Sequence, residues 1–184
     1  NEYLNIKINN NFLINKASIN SKDIKKNNIF FGIKGKNIDG NKFADEALKK
    51  KASICILEKN YSKKNPRKIF VKDTLKTFSN LSCIIRKSLG TPIVAITGSA
   101  GKTSLKELIG QSLNTLIPTS YSKKSFNNQY GVPLSLFNID MKHKIGVFEI
   151  GMDKKGEIQK LSNLIRPDIG VITNISYAHI KNFN

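Results

Sequence analysis

The sequence is poor in acidic residues, has few cysteines and contains no long apolar run. Thirteen Asp and Glu residues stand against 31 Lys and Arg residues, which gives a formal net charge of +18. No stretch reaches the ~18 consecutive apolar residues that a membrane-spanning helix needs, so we expect no membrane span. The first ten residues, NEYLNIKINN, combine neither a basic leader with an apolar run nor a small-residue cleavage site, and we do not expect them to be a secretory signal.

The two cysteines predict a reducing environment. Cys55 and Cys83 each lie within an apolar run, ASICILE and NLSCIIRK respectively. Cysteines in such runs are usually buried and inert, and a chain with only two of them has no disulfide framework. We therefore expect reduced thiols and a cytoplasmic location.

The excess of positive charge raises the possibility of nucleic-acid binding. The lysines are spread along the whole chain beside Asn, Ile and Ser, and no aromatic residues alternate with them to form a stacking platform. A codon bias towards Lys, Asn and Ile explains the charge more simply. We expect no nucleic-acid partner, although the positive field suits small anionic substrates such as nucleotides.

The first half of the chain has the pattern of a small α/β unit. Short apolar runs predict strands at 4–8, 29–34, 53–58 and 68–72, with a helix at 43–51. A helix is predicted over 74–89, because apolar residues recur there at helical spacing: Leu75, Phe78, Leu81, Ile84 and Ile85. Gly90, Thr91 and Pro92 then break the helix, so we place a domain boundary between residues 1–90 and 91–184.

The second half alternates strands with helices, which is typical of a parallel sheet. Nearly continuous apolar runs predict strands at 93–97, 144–150 and 168–175. Helices are predicted at 102–116 and 157–165. The apolar face of the first helix consists of Leu105, Leu108, Ile109, Leu113 and Leu116. That of the second helix consists of Ile158, Leu161, Leu164 and Ile165. The chain does not begin with Met and stops just after a strand-like run, so we expect both ends to be truncated and this second domain to be incomplete.

The segment from Gly98 to Thr103, GSAGKT, is the strongest local signal. A predicted strand runs directly into it and a predicted helix begins at once. Glycines let backbone N–H groups and the helix N-terminus face a phosphate, Lys102 can reach the β- and γ-phosphates, and the Thr103 hydroxyl can bind Mg²⁺. The full P-loop pattern has glycine where Ile96 stands, so this is a shorter variant. The alternative is a plain glycine turn with an ordinary lysine at the helix start.

Two further residues follow predicted strands in the second half. Ligands of open parallel sheets bind beyond the carboxyl ends of the strands, and Glu149 and His179 both lie at or just after such ends. Carboxylate and imidazole are suitable cation ligands, which favours a metal role beside the phosphate loop. Taken singly, each residue is more often a solvated rim or surface group. His143, in the polar run DMKHKI, has no such support.

Four ordered motifs together make the pattern specific. They are TGSAGKTSLKE, SFNNQYGVPLSLF, FEIGMDKKGEI and RPDIGVITNISYAHIKNF, and with IFFGIKGKNIDGNKFADEA in the first half the sequence resembles the Mur ligase family over nearly its whole length. The resemblance is strongest to the type that adds D-alanyl-D-alanine to a UDP-N-acetylmuramoyl tripeptide. It implies an α/β fold with a small N-terminal α/β substrate domain, followed by the first part of a mostly parallel-sheet P-loop ATPase domain.

The resemblance also implies a reaction and its participants. In such ligases the tripeptide carboxylate attacks the γ-phosphate of ATP to give an acyl phosphate and ADP, and the dipeptide amine then displaces phosphate. ATP and Mg²⁺ are the implied cofactors, and we expect a monomer. The implied nucleotide contacts are Gly98, Ser99, Ala100, Gly101, Lys102, Thr103 and Ser104, with Thr103, Glu149 and His179 on metal ions and Lys102, Glu149 and His179 as the catalytic set.

Three asparagines complete the site that the resemblance implies. Asn127 and Asn128, in the NNxxGVP motif, resemble residues that line the muramoyl-peptide side of the cleft, and Asn174 is expected to face the same cleft. A plain turn before Pro133 is the structural alternative for the first two. Where the family commonly has Gly-Asp, this chain has Asn27-Asn28.

Four other functions compete with this hypothesis. A sibling Mur ligase that adds the third peptide residue, or a folylpolyglutamate-type synthase, shares the phosphate loop. A P-loop switch without ligase chemistry, which would couple its loop to a DxxG-like γ-phosphate sensor, is the next alternative. A basic nucleic-acid-binding protein and a non-catalytic binding fragment are the remaining alternatives.

Overall fold

The computed structural model describes residues 12–58, 65–122 and 125–178. The chain divides into two compact units, Asn1–Leu81 and Ser82–Asn184. The division falls inside one helix, and the assignment of domains to residues 1–90 and 91–184 stays a prediction. Among the described residues, no helix combines the length and apolar character needed to cross a membrane. The predicted strand at 4–8 lies outside the described residues.

The first unit is built on a parallel four-stranded sheet in chain order. Its elements are β1 (Lys16–Ser18), β2 (Asn28–Phe31), α1 (Ala44–Lys49), β3 (Ile54–Glu58) and β4 (Lys68–Val71), followed by α2 (Thr74–Leu89), which continues into the second unit. Short 3-10 turns at Ser21–Asp23 and Gly40–Phe43 connect them. A short apolar run suffices for each strand, because β2 and β3 are covered on both faces.

Asn27 occupies a backbone position that glycine usually takes. Its φ is +66°, in the left-handed region, and its main chain bonds both Lys51 and Asn15. Asparagine is among the few other residues that tolerate this conformation. Asn27 therefore fits this turn, at a position where the resemblance led us to expect glycine.

The two cysteines are free in the structure. Cys55 is fully buried in β3, and desolvation by burial raises the pKa of its thiol to about 12. Cys83 is only partly buried, and burial also raises the pKa of its thiol. Neither thiol is activated as a nucleophile, because the reactive thiolate is disfavoured at both positions.

We predict that Phe78→Ala destabilises the first unit strongly. Phe78 in α2 and Phe31 in β2 are both fully buried, with ring centroids 4.4 Å apart. The truncation leaves a cavity beneath the sheet, and we expect a loss of about 3–5 kcal/mol in the free energy of unfolding. Phe43→Ala is the matched control, because that ring is 39% exposed. Urea unfolding followed by circular dichroism measures both, and equal losses in the two variants would contradict the packing argument.

The second unit contains a second parallel four-stranded sheet, in the order β6-β7-β5-β8. Its elements are β5 (Ile93–Thr97), α3 (Lys102–Asn114), β6 (Thr119–Tyr121), α4 (Gly131–Phe137), β7 (Ile145–Glu149), α5 (Glu157–Ile165) and β8 (Ile169–Ile172). The predicted α/β class with parallel sheets is confirmed. Strands β1 and β6 and helix α4 were not predicted.

The apolar face predicted for α3 was partly wrong. Leu105, Ile109 and Leu113 pack on the sheet as expected, but Leu108 is 65% exposed and Leu116 is 80% exposed. The sheet-facing stripe contains Lys106 and Gly110 instead, and Leu108 lies on the far side of that stripe. Leu116 lies beyond the helix end at Asn114, so the helical period no longer applies to it. The face predicted for α5 is confirmed.

A buried lysine ties α3 to the end of β6. The Lys106 side chain is fully buried, and its Nζ donates to the Ser122 carbonyl at 2.6 Å and lies 2.8 Å from the Glu107 carboxylate. A buried ammonium needs such partners, since an unpaired one is costly. The contact fixes the helix that follows the phosphate loop against the neighbouring strand.

Candidate phosphate site at the sheet edge

The loop between β5 and α3 has the geometry of a phosphate-binding turn. Gly98 and Gly101 have φ of +129° and +78°, values that side chains rarely adopt, and Gly101 directly precedes the first residue of α3. A β-carbon on Gly98 would collide with the Thr173 hydroxyl, whereas nothing lies within 4 Å of one on Gly101. The loop therefore presents the N-terminus of a 13-residue helix towards open space.

Lys102 lies over this loop. Its Nζ donates to the Gly98 carbonyl at 2.5 Å and contacts the Ser99 carbonyl at 3.4 Å. Both partners are neutral carbonyls of the loop itself. A phosphate would offer the ammonium a charged acceptor, which makes a stronger hydrogen bond.

Glu149 is buried beside the same loop. It ends β7 and is the register partner of Ile96 on β5, one residue before the loop strand ends. The side chain is 1% exposed, and both of its oxygens are hydrogen-bonded: Oε2 accepts from the Thr103 hydroxyl at 2.8 Å and Oε1 from the Asn127 amide at 2.7 Å. A solvated rim residue would not have this environment, so the alternative suggested for Glu149 is wrong.

The segment that contains Asn127 is fastened to the sheet. The Asn127 carbonyl accepts from the Gly151 N–H at 2.6 Å, just after β7. Ser125 lies 3.4 Å from Thr103, hydroxyl to hydroxyl. Thr103, Glu149, Asn127 and Ser125 thus form one connected polar group next to the loop.

Asn128 has a local structural contact. Its Oδ1 accepts from the N–H groups of Tyr130 and Gly131 at 3.0 and 3.1 Å, which stabilises the turn that starts α4. This is the turn considered as the structural alternative. The predicted roles of Asn127 and Asn128 in substrate binding stay predictions, as does that of Ser104, which is exposed in the first turn of α3.

The two histidines differ in what the structure describes. His179 lies outside the described residues, so its predicted metal role stays a prediction. His143 accepts a hydrogen bond from the Asp140 N–H through Nδ1 at 2.9 Å, within a turn. It lines a depression of about 410 Å³ with residues 114–118 and Lys142, at the end of α3 far from the phosphate loop.

A magnesium ion fits the donors next to the loop. Within residues 12–58, 65–122 and 125–178, no three His, Cys, Asp or Glu side chains cluster as a ready-made metal centre. The Thr103 hydroxyl and the Glu149 carboxylate are hard oxygen donors, and Mg²⁺ commonly completes its shell with phosphate oxygens and water. One carboxylate and one hydroxyl therefore suit a cation that arrives with a nucleotide.

Two contributors to this site were missed in the sequence. Thr173, directly after β8, donates its hydroxyl proton to the Ala100 carbonyl at 2.5 Å and lies 3.2 Å from the Thr97 carbonyl, and Ser125 lies beside Thr103. The rule that selected Glu149, a polar residue at the carboxyl end of a strand, applies equally to Thr173. For Ser125 no comparable signal exists beyond its place next to the NNxxGVP motif.

Comparison with known proteins identifies the family to which the chain is similar. Residues 13–108 match the family model described as "Mur ligase family, catalytic domain", and residues 96–184 match "Mur ligase middle domain". A relative from Buchnera aphidicola, named UDP-N-acetylmuramoyl-tripeptide--D-alanyl-D-alanine ligase, is 37% identical over 93% of this chain. The chain spans only 37% of that relative's length.

Solved structures give the same result. MurF from Acinetobacter baumannii superposes with a TM-score of 0.80 and 27% identity over 92% of this chain and 37% of its own. MurF from Thermotoga maritima in complex with ADP superposes with a TM-score of 0.78 and 30% identity over 93% of this chain and 40% of its own. Because one family model alone covers more than half of the sequence and the fold matches over 92% of the chain, the chain belongs to the Mur ligase family.

Proposed function

We propose that this chain carries the nucleotide-phosphate site of an ATP-dependent, ADP-forming ligase that joins D-alanyl-D-alanine to a UDP-N-acetylmuramoyl tripeptide. The observation that carries the proposal is the phosphate loop with its Thr103 hydroxyl 2.8 Å from the buried Glu149 carboxylate. The names of the similar proteins supply the substrate class, and the ADP complex of one of them supports the nucleotide.

The proposed reaction forms one amide bond at the expense of one phosphoanhydride bond. The tripeptide carboxylate oxygen bonds to the γ-phosphorus while the bond to the β-phosphate oxygen breaks, and ADP leaves. The dipeptide amine then bonds to the acyl carbon, the acyl carbon–oxygen bond breaks, and inorganic phosphate leaves with the loss of one amine proton. The protein must position two anions against each other, which is mainly an electrostatic task.

The residues of the loop have distinct roles in this proposal. Lys102 and the helix N-terminus behind Gly101 place positive charge where the phosphates lie. Thr103 and Glu149 would hold Mg²⁺, which when bound offsets the negative charge of the nucleotide and the attacking carboxylate. The Asn127 amide keeps the Glu149 carboxylate oriented, and the proposed second ion would be served by His179.

The remaining assignments concern substrates and location. Residues 1–90 are proposed to bind the UDP-muramoyl part, and Asn127 and Asn128 are proposed to line its path to the loop. Cys55 and Cys83 are free, which suits a reducing compartment, and we propose a cytoplasmic monomer.

The test is a substrate-panel assay on the complete gene product. ATP and Mg²⁺ are supplied with UDP-N-acetylmuramoyl tripeptide and D-alanyl-D-alanine, and phosphate release and product mass are followed. Parallel reactions offer UDP-N-acetylmuramoyl dipeptide with diaminopimelate or lysine, and folate with glutamate. We expect a product only in the reaction that contains UDP-N-acetylmuramoyl tripeptide and D-alanyl-D-alanine. Turnover restricted to one of the other pairs would overturn the substrate assignment and favour a sibling ligase or a folylpolyglutamate-type synthase.

A further inference from the structure

The segment after β8 is bonded to the phosphate loop along its length. The Ser99 N–H donates to the Asn174 carbonyl at 3.0 Å, and the Ala100 N–H donates to the Asn174 side-chain Oδ1 at 2.9 Å. The Ser99 hydroxyl donates to the Ser176 carbonyl at 3.1 Å and accepts from the Ser176 N–H at 2.8 Å. Thr173 adds its hydroxyl bond to the Ala100 carbonyl. One residue, Asn174, thus holds two consecutive N–H groups of the loop.

These bonds decide which part of the loop can receive a phosphate. The N–H groups of Ser99 and Ala100 point to Asn174, so they are directed towards the 173–176 segment. The first N–H groups of α3 have no acceptor within the helix, because the chain before them is not helical. The space beside Gly101 is open. A phosphate therefore fits at the start of α3, and the first part of the loop serves as its support.

The support is closely packed. Gly98 fits only because it has no β-carbon to meet Thr173 and Asn174. The Thr173 hydroxyl reaches carbonyls on both sides of Gly98, those of Thr97 and Ala100. The conformation of the loop is consequently set by the 173–176 segment as well as by its own glycines.

We propose that Asn174 is a positioning residue that holds the phosphate loop in its binding shape, and that it is not a contact to the muramoyl peptide. The proposal rests on the function proposed above and deepens it. Asparagine suits this role because its main-chain and side-chain oxygens accept from adjacent N–H groups. Alanine would remove the side-chain bond alone, and aspartate would keep an acceptor there while adding a negative charge next to the bound phosphates.

The experiment measures ADP and ATP affinity by calorimetry on the complete gene product. We expect Asn174→Ala to weaken ADP binding about three- to tenfold, as for one lost hydrogen bond. Asn174→Asp should weaken ATP binding more than ADP binding, because ATP has the larger negative charge. Ile175→Ala is the matched control, since that side chain is 86% exposed, and it should bind as the wild type does.

Further measurements distinguish a positioning role of Asn174 from a direct contact to the muramoyl tripeptide. In the complete gene product, Asn174→Ala should leave the KM for the muramoyl tripeptide unchanged while raising the KM for ATP. A raised tripeptide KM with normal nucleotide affinity would overturn the proposal and make Asn174 a substrate contact. Lys102→Ala is included in every measurement. If Lys102→Ala weakens ADP binding but neither Asn174 variant does, only this inference fails. If none of the three variants weakens ADP binding, the proposed function fails as well.

Misfolding is tested with the isosteric variant. Should Asn174→Ala lower the melting temperature well below that of Ile175→Ala, the decision passes to Asn174→Asp, which retains size and an acceptor oxygen. A larger loss of ATP affinity than of ADP affinity in that variant, with an unchanged KM for the muramoyl tripeptide, supports the proposal. Equal, wild-type affinities for both nucleotides overturn it.

Discussion

Lys102→Ala is expected to remove ATP-dependent ligation from the complete gene product and to weaken ADP binding by about 10- to 100-fold, the range for a lost hydrogen bond to a charged group. The reason is geometric. The Lys102 Nζ already lies within hydrogen-bond distance of the Gly98 and Ser99 carbonyls, above the loop that would hold the phosphates. Calorimetric titration with ADP and a phosphate-release assay measure the two effects.

The control for this prediction removes the same charge elsewhere. Lys160 is exposed on α5, and Lys160→Ala lowers the net charge of the chain by the same single unit. A general attraction of nucleotides to a chain of net charge +18 would make the two variants behave alike. Wild-type turnover in Lys102→Ala would remove the phosphate-loop assignment altogether. Melting temperatures near that of the wild type establish that both variants fold.

The helices and strands that could be predicted are those with a long, regular apolar pattern. The bounds predicted for α2, β5 and α5 agree with the structure, because each has several apolar residues at the spacing of its element. Helix α4 was missed. It has only seven residues, and only a turn was considered before Pro133, although proline is tolerated in the first turn of a helix, where the N–H has no helical partner. Strands β1 and β6 have three residues each, too few for a period.

The arrangement of the candidate site was predictable where a polar residue ends a strand or a glycine pattern marks a loop, while the roles of its residues stay predictions. The loop and Glu149 were both found by such rules, and the structure places Thr103 and Glu149 in direct contact. The contact between Asn174 and Ala100 could not be predicted, because it joins residues 74 positions apart through a turn with no pattern of its own. The exposure of Leu108 could not be predicted either, because the buried face of the helix contains Lys106, and lysine is normally expected on the exposed face.

Glu149→Gln is expected to preserve the fold and to reduce Mg²⁺-dependent ligation by orders of magnitude. Glutamine has the size of glutamate, and its carbonyl can still accept from the Asn127 amide. Its amide would then donate to the Thr103 hydroxyl and reverse the present bond, which occupies an oxygen lone pair that a cation would need. The substitution thus removes the carboxylate charge and leaves the Thr103 oxygen only one free lone pair for a cation.

The size of the effect follows from the charge that is lost. Stabilisation of developing negative charge by a bound cation is worth several kcal/mol, which corresponds to a rate loss of about 100- to 1,000-fold. The measurement is the ligation rate as a function of Mg²⁺ concentration, and we expect half-saturation to move at least about tenfold upward. Asp140→Asn is the control, because that carboxylate is exposed and precedes β7, whereas Glu149 ends it. The Mg²⁺ titrations of Glu149→Gln and Asp140→Asn would coincide if the buried carboxylate only held Thr103 and Asn127 in place. In that case the cation would have to be assigned to other donors.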